Sequence, residues 1–437
     1  MSRLVLSPAA IDFGPIAPGC TSADRTITAY NSGPEPVLIS RLELAPGVTP
    51  ELTIDRTLPG IPAPGMGVTI PAGDVLELIV RYRAADLGAD SGALQIFEEG
   101  APGPYVIPLR GEGAAEPTRV DSHIQLDRVA ADVLFVIDNS CSMDQEQASL
   151  TANFSSFLEF AERQAIDYRI AAVTTDMEGL SPASNRPCPA PPLATRPAEL
   201  PQGACGYFAD GSWDRARQDP SWRLVGPLTQ PSPTQAFGAI ADQGTSGSPA
   251  EQGLLAAREA LSDPLISGWN RGFLRPSASL AIVFLSDEDD SSPGPVDRYL
   301  SFYRSLKGFE HPELFSASAI TGEAPNGCAT AMAGHRYLEL AERTGGAFES
   351  ICSGDWVARL EELGLAVFGY QTRFPLSNAA VPGSIEVRVN GVVVESRSPS
   401  GLVHWTHAAA TRSVIFTPIA VPEPGSEIVL RYRSECR

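Results

Sequence analysis

The chain has 437 residues, 43% of them hydrophobic, and its 52 acidic against 32 basic residues give a net charge of −20. That length exceeds one ordinary core, so about two to four domains are expected, and no run of about 18 apolar residues is present to span a membrane. A surface this acidic repels phosphate backbones, which argues against nucleic acid as a main partner. The chain opens Met1-Ser2-Arg3 with no apolar signal core behind it. Since residue 4 already begins a strand pattern, the expectation is that an export signal has been removed.

Residues 1–115 hold short strand patterns separated by Pro, Gly and Asn turns. Leu76, Leu78, Val80 and Tyr82 alternate with Glu77, Ile79 and Arg81, the period of a half-buried strand. No helical period occurs before residue 116, so an all-β sandwich is expected. The segments LSPAAIDFGPIAPG, ITAYNSGPEPVLI, VLELIVRYRAADLG and IPLRGEG resemble the immunoglobulin-like ASH/Hydin-type domains. That resemblance implies a spacer or interaction module. Residues 116–128 are polar and lack a period, as a linker would.

From Asp132 strands alternate with helices, the pattern of an α/β fold with a mostly parallel sheet and helices on both faces. The stretch VLFVIDNSCSM, residues 133–143, runs five apolar residues into Asp138, followed by Ser140 and Ser142. Such a run suits a strand buried on both faces, and ligands of these sheets bind at the carboxyl ends of the strands. A carboxylate and two hydroxyls there are hard oxygen donors for a small divalent cation. The plainer alternative is that Asp138 caps the next helix and the serines fill a turn.

Leu150, Phe154, Phe157, Leu158 and Ala161 then mark one helical face, and residues 168–175 a strand. Residues 177–233 form an insertion with eleven prolines, Trp213, Trp222 and the pair Cys188 and Cys205, longer than ordinary loops. Helices are expected at 234–240 and 249–261, and a second unbroken apolar strand at 280–285 ends in SDEDDSS. A helix carrying Val296, Tyr299, Leu300 and Tyr303 follows, then a strand at 314–320. The helix at 331–344 is ended by Gly345 and Gly346, a strand covers 347–351, and a final helix presents Val357, Leu360, Gly364 and Val367, with Ser353 as its cap. Residues 371–437 return to β character, with Ile385, Val387 and Val389 leading to the hairpin signal Asn390-Gly391. They are expected to form a small β-sandwich leaning on the α/β domain.

Seven cysteines are present. Cys188 and Cys205 share the proline-rich loop, and Cys328 and Cys352 bracket one expected helix; neither pair has the spacing of a zinc or redox motif. They read as structural disulfides, Cys188–Cys205 and Cys328–Cys352, hence an extracellular, cell-surface or periplasmic setting. The odd count leaves at least one of Cys20, Cys141 and Cys436 unpaired or paired between chains, and a disulfide anchoring its loop is the expectation for Cys141.

Two apolar strands thus end in acids, Asp138 and Asp287, and between them GTSGSP supplies Thr245, Ser246 and Ser248. This arrangement resembles the von Willebrand factor A domain and its metal-ion-dependent adhesion site (MIDAS), shared with integrin I domains. The resemblance implies a central Rossmann-like domain over residues 129–370. It implies Asp138, Ser140 and Ser142 as first-loop ligands, Thr245 as the second, with Ser246 and Ser248 as alternates, and Asp287 as the third. In this chain LSDED stands where the family often has TDG. It further implies Mg2+ (or Mn2+ or Ca2+) as the cofactor and a final helix, 355–367, that shifts between affinity states. Because hydroxyl ligands are neutral, the metal stays electrophilic, and the implied partner is a protein presenting an Asp or Glu carboxylate.

The expected function is metal-dependent binding or adhesion at the cell envelope. The alternative is an intracellular assembly factor recruiting an ATPase or chelatase-type partner, for which the thiols would be free. Asp287–Asp290 lacks EF-hand spacing, so Glu288, Asp289 and Asp290 read as a solvated rim, the alternative being that they orient the site's ligands. His404 and His407 lack further zinc ligands, and no GxSxG elbow or catalytic Cys/His signature occurs. A hydrolase carried by the insertion ranks last, and the chain is expected not to be an enzyme.

Overall fold

The computed structural model describes residues 4–436 apart from 46, 48, 59–66, 126–129, 180–186, 191, 212–219, 310, 370, 410, 411 and 418. Two compact units emerge, one of Met1–Asp127 with Tyr370–Arg437 and one of Arg128–Gly369. The first begins with β1 (Leu4–Ser7), β2 (Ile11–Ile16), β3 (Arg25–Asn31), β4 (Val37–Leu44), β5 (Leu52–Leu58), β6 (Val68–Ile70), β7 (Val75–Tyr82), β8 (Gly88–Glu98) and β9 (Tyr105–Gly113). They form two sheets, ordered β1-β3-β7-β5 and β2-β9-β8-β4-β6. Alternation decides which side chains close the sandwich: Leu76, Leu78, Val80 and Tyr82 of β7 are fully buried, against Leu94 and Ile96 of β8 and Ile107 and Leu109 of β9. Next comes β10 (Thr118–Ile124).

The second unit runs β11 (Ala130–Ile137), α1 (Asp144–Arg163), β12 (Asp167–Thr174), α2 (Pro233–Ala241), α3 (Gly253–Ala260), β13 (Ser279–Leu285), α4 (Val296–Lys307), β14 (Phe315–Thr321), α5 (His335–Thr344), β15 (Phe348–Ser350) and α6 (Trp356–Phe368). Its five strands are all parallel, in the order β12-β11-β13-β14-β15. Helices cover both faces, which is why β11 and β13 read as unbroken apolar runs. Val133, Phe135 and Ile137 of β11 pack with Leu150 and Phe154 of α1, Phe237 of α2 and Leu363 of α6. Leu134 and Val136 point the other way, to Leu254 of α3, Tyr303 of α4 and Leu340 of α5. At Gly364 an added Cβ would stand 2.4 Å from the Phe157 carbonyl oxygen, so glycine lets α6 close onto α1. The cap of α6 is Asp355, accepting from the Ala358 amide (3.1 Å), and not Ser353: its carboxylate is one position from the first helical residue, where an N-cap acts.

The insertion has a structural role at the free edge of β12. Val225 and Ile170 exchange backbone hydrogen bonds (2.8 and 2.7 Å), Ala209 donates to Ala172 (2.9 Å), and Thr174 donates to Gly203 (3.0 Å). Two passes of the chain thereby cover an edge that would otherwise expose its pairing groups. Cys188–Cys205 closes this segment, over a small core of Leu200, Tyr207 and Leu265. A second disulfide joins Cys328 to Cys352.

The chain ends with β16 (Arg373–Pro375), β17 (Glu386–Val389), β18 (Val392–Val393), β19 (Trp405–Ala408), β20 (Ser413–Phe416) and β21 (Glu427–Arg433). Asn390 and Gly391 both take positive φ, 51° and 80°, between β17 and β18, as a two-residue hairpin turn requires. Residues 118–124 are no linker. They form β10, paired antiparallel with β21 along its whole length, in the sheet β10-β21-β17-β18. Nor do residues 1–115 and 371–437 stand as separate domains. Arg25 donates to Asn378 Oδ1 (2.6 Å), Asn378 donates to the Phe13 carbonyl (3.1 Å), and a disulfide joins Cys20 to Cys436. That bond also corrects the expectation for Cys141. The other six cysteines pair among themselves, so Cys141 is free and exposed.

Two outcomes follow from these contacts. Closing a loop of 416 residues restricts the unfolded chain, an effect typically of about 2–4 kcal/mol. Replacing both Cys20 and Cys436 by Ser should therefore lower the melting temperature of the first unit by about 5–15 °C in differential scanning calorimetry. In the second unit the Glu349 carboxyl is pushed up to about 7 by partial burial and by Glu362 beside it, from an ordinary 4.5. The folded state then holds a proton that the unfolded state has lost, so its stabilising effect is complete below pH 4.5 and lost as pH rises through about 7. Glu349→Gln should flatten the fall in melting temperature between about pH 5 and 8, raising it most at the alkaline end.

Candidate functional site

The order β12-β11-β13 means that the chain leaves β11 first to one side and then to the other. A crevice opens at the carboxyl ends of strands where such a reversal occurs. Asp138 lies there. Pairing of β11 with β13 continues one residue past the strands, the Asp138 amide donating to the Leu285 carbonyl (2.9 Å). The Ser286 hydroxyl donates to Asp138 Oδ2 and the Ser140 amide to Oδ1, both at 2.7 Å. The carboxylate is fully buried. It does not cap α1, whose N-cap position, Met143, has no side-chain cap bond. Ser140 and Ser142 hydroxyls approach each other at 3.2 Å, with Ser140 buried and Ser142 exposed.

Gln147 of α1 joins the first two loops. Its amide donates to the carbonyls of Asp138 (2.8 Å) and Gly244 (3.0 Å), and its oxygen accepts from the Gln243 amide (3.0 Å). The Gly247 amide donates to the Asn139 carbonyl (2.8 Å), and a Cβ at Gly247 would meet Asn139 Oδ1 at 2.3 Å. Thr245 is half-buried and lines a cavity of about 770 Å³ with Asp144, Trp222 and Gln235. Ser246 is exposed, and Ser248 is buried and donates to Glu178 (2.8 Å).

The residue brought against Asp138 is one that motif reading missed, Glu251, just ahead of α3. It is 1% exposed. The Thr175 hydroxyl donates to its Oε2, and Ser291 holds its carbonyl through both amide and hydroxyl (2.7 Å each). Its carboxyl is within hydrogen-bonding range of Asp138, and Oε1 has no partner. The available signal was a lone carboxylate in the loop GTSGSPAEQ, which a search for hydroxyls passes over.

In the third loop Asp287 is buried, its carbonyl accepts from the Met332 amide (2.8 Å), and its Oδ1 has no hydrogen-bond partner. The following acids are not all a solvated rim. Asp290 is buried, accepts from the Leu254 amide (3.0 Å) and the Ser292 hydroxyl (2.7 Å), and pairs with the Arg336 guanidinium at 2.9 Å. It fixes the start of α3, and therefore Glu251. Asp289 accepts from the Arg336 amide (2.9 Å).

Burial raises the Asp138 carboxyl above the ordinary range, and the Asp287 charge adds to this, while the bonds from Ser286 and Ser140 oppose it. Glu251 is raised by burial first and then by Asp138, with Thr175 opposing. Glu288 is raised by burial and by Asp287. Burial and mutual repulsion thus disfavour the ionised form of these carboxyls, a penalty that a hard divalent cation would offset. Among the described residues no three His, Cys, Asp or Glu side chains already converge as a metal cluster. The donors that gather here are mixed, carboxylates with serine hydroxyls.

No protein-family model matches the chain, and no curated protein matches it. Solved structures do. The VesB protease of Vibrio cholerae is 10% identical, covering 25% of this chain and 32% of its own, with a TM-score of 0.21. The ASH/PapD-like domain 7 of human CEP192 is 13% identical, covering 26% and 85%, at 0.19. WR4, an MSP family member of C. elegans, is 11% identical, covering 26% and 100%, at 0.18. The presence of a protease among the matches overturns the expectation that the chain is not an enzyme, which is not retained. Likeness at these scores assigns no reaction. The chain is a multidomain α/β protein with a two-sheet β-sandwich in its first unit and a five-stranded parallel sheet in its second.

Proposed function

We propose that residues 128–369 form a von Willebrand factor A-like domain that holds a divalent cation, Mg2+ or Mn2+, and through it binds a protein partner. The observation that carries this reading is the placement of Asp138 at the reversal point of the sheet, with paired Ser140 and Ser142 hydroxyls beside it and the donorless Oδ1 of Asp287 across the β11–β13 seam. The cation would supply the positive charge to which a partner's oxygen binds. Ser140, Ser142 and Asp287 hold it. Asp138, anchored by Ser286 and by the Ser140 amide, keeps the loop in shape as well as facing the ion. The three disulfides fit an extracellular or periplasmic setting, and they count against the intracellular assembly-factor reading. The β-sandwich unit would act as spacer or assembly surface.

The test uses the full chain. Asp138→Asn keeps the shape and most hydrogen bonds of the loop, and Asp287→Ala removes the donorless carboxylate. Each should weaken Mn2+ and Mg2+ binding in titration calorimetry by about 100-fold or more, with the circular dichroism spectrum unchanged. Wild-type affinity in both variants would refute the site.

A further inference from the structure

A cavity of about 770 Å³ opens beside the second loop, between α1 and α2, a size typical of ligand pockets. Asp144, Ala148 and Ala152 of α1 border it at intervals of four, one stripe of the helix. Trp222 and Asp242, at the C-cap of α2, border it from the other side. The Trp222 N–H donates to the Gln230 carbonyl (3.0 Å), so the ring is what it has to offer a ligand. The described residues lining the cavity include two carboxylates and no Arg, Lys or His. Among the described residues neither Asp144 nor Asp242 has an ion pair or a side-chain hydrogen bond. Asp144 sits in the first turn of α1, where the helix dipole favours negative charge. Asp242 ends α2, where the dipole disfavours it. The carbonyls at that end are met by neutral amides, Gln202 donating to Ala239 (3.3 Å) and Asp242 (2.8 Å) and Gln243 to Ile240. No described cation of the fold therefore balances Asp242.

We propose that this cavity binds an arginine side chain of a protein partner, its guanidinium held by Asp144 and Asp242 and its stem lying along Ala148 and Ala152. A guanidinium carries five N–H donors in one plane, so it can serve two carboxylates and still lie against an aromatic ring. Its methylenes cover apolar surface while the charge stays with the acids. A lysine ammonium has three donors and no flat face, and uses the same walls less fully. The net charge of −20 draws basic segments toward the protein, and the cavity gives one such side chain a fixed seat. Thr245 belongs both to the cavity wall and to the second loop, and Gln147 ties that loop to Asp138 through the Gly244 (3.0 Å) and Asp138 (2.8 Å) carbonyls. The seat thus adjoins the crevice, yet it requires no bound cation.

The experiment titrates the full chain with N-acetyl-L-arginine amide, whose only charge is the guanidinium, and follows binding by saturation-transfer NMR. N-acetyl-L-citrulline amide, its neutral isostere, and N-acetyl-L-lysine amide are titrated in parallel, all with EDTA present so that no divalent cation contributes. Expected is saturable, millimolar binding of the arginine compound, with citrulline at least about fivefold weaker and lysine weaker than arginine. Asp144→Asn and Asp242→Asn should each weaken arginine binding by about fivefold or more, with the circular dichroism spectrum unchanged. Equal affinity for citrulline would make the cavity a site for neutral polar ligands and overturn the cationic assignment. Lysine binding as tightly as arginine would overturn the choice of guanidinium. Arginine binding unchanged in the Asp144→Asn/Asp242→Asn double variant would place it elsewhere on the acidic surface and overturn the site. No saturable binding by about 20 mM would overturn it as well.

Discussion

The seam between β11 and β13 is the constraint from which the second unit follows. Two strands buried on both faces must be paired throughout, because no water reaches their amides. The pairing runs on to the Asp138 amide and the Leu285 carbonyl, so the first polar residue of the chain beyond the sheet is fixed as firmly as the sheet. Ser286 completes the clamp from the opposite strand. A carboxylate in this position cannot turn toward water, and its neighbours must accommodate its charge.

Those neighbours increase the difficulty. Asp287 follows Ser286 directly, and Glu251 is delivered from the start of α3, whose own position is set by Asp290. Structural acids such as Asp290 are satisfied by amides, a hydroxyl and an arginine. At the crevice, Oε1 of Glu251 and Oδ1 of Asp287 lack such donors. This contrast separates acids whose charge the fold itself compensates from acids whose charge it leaves exposed to one another.

The parts that were legible in the sequence share a physical cause. β11 and β13 advertise themselves through unbroken apolar runs, and the sandwich through the alternation of β7, because burial leaves a clear imprint on side-chain choice. β10 left none. Val120 and Ile124 are exposed, its other residues are mostly half-buried, and its partner β21 comes some 300 residues later, beyond any local pattern. The Cys20–Cys436 bond is invisible for the same reason of distance. At the crevice, Asp138, Ser140, Ser142 and Asp287 were legible because they stand in the loops that follow two unbroken apolar strands. Glu251 could not, since what sets it apart is burial and approach to Asp138, neither of which its polar loop announces. The covering of β12 by the insertion was equally hidden, being made by backbone groups that carry no sequence signature.

The Cys20–Cys436 bond has a mechanical meaning. It turns the polypeptide between those residues into a covalent ring, and the whole α/β unit is a segment of that ring. Tension transmitted between segments outside the ring passes through the sulfur atoms and bypasses residues 128–369. Unfolding under load is governed by the barrier along the pulled path, and that path contains neither β11 nor the crevice. In a protein built in this way, load carried through that disulfide leaves the α/β unit slack.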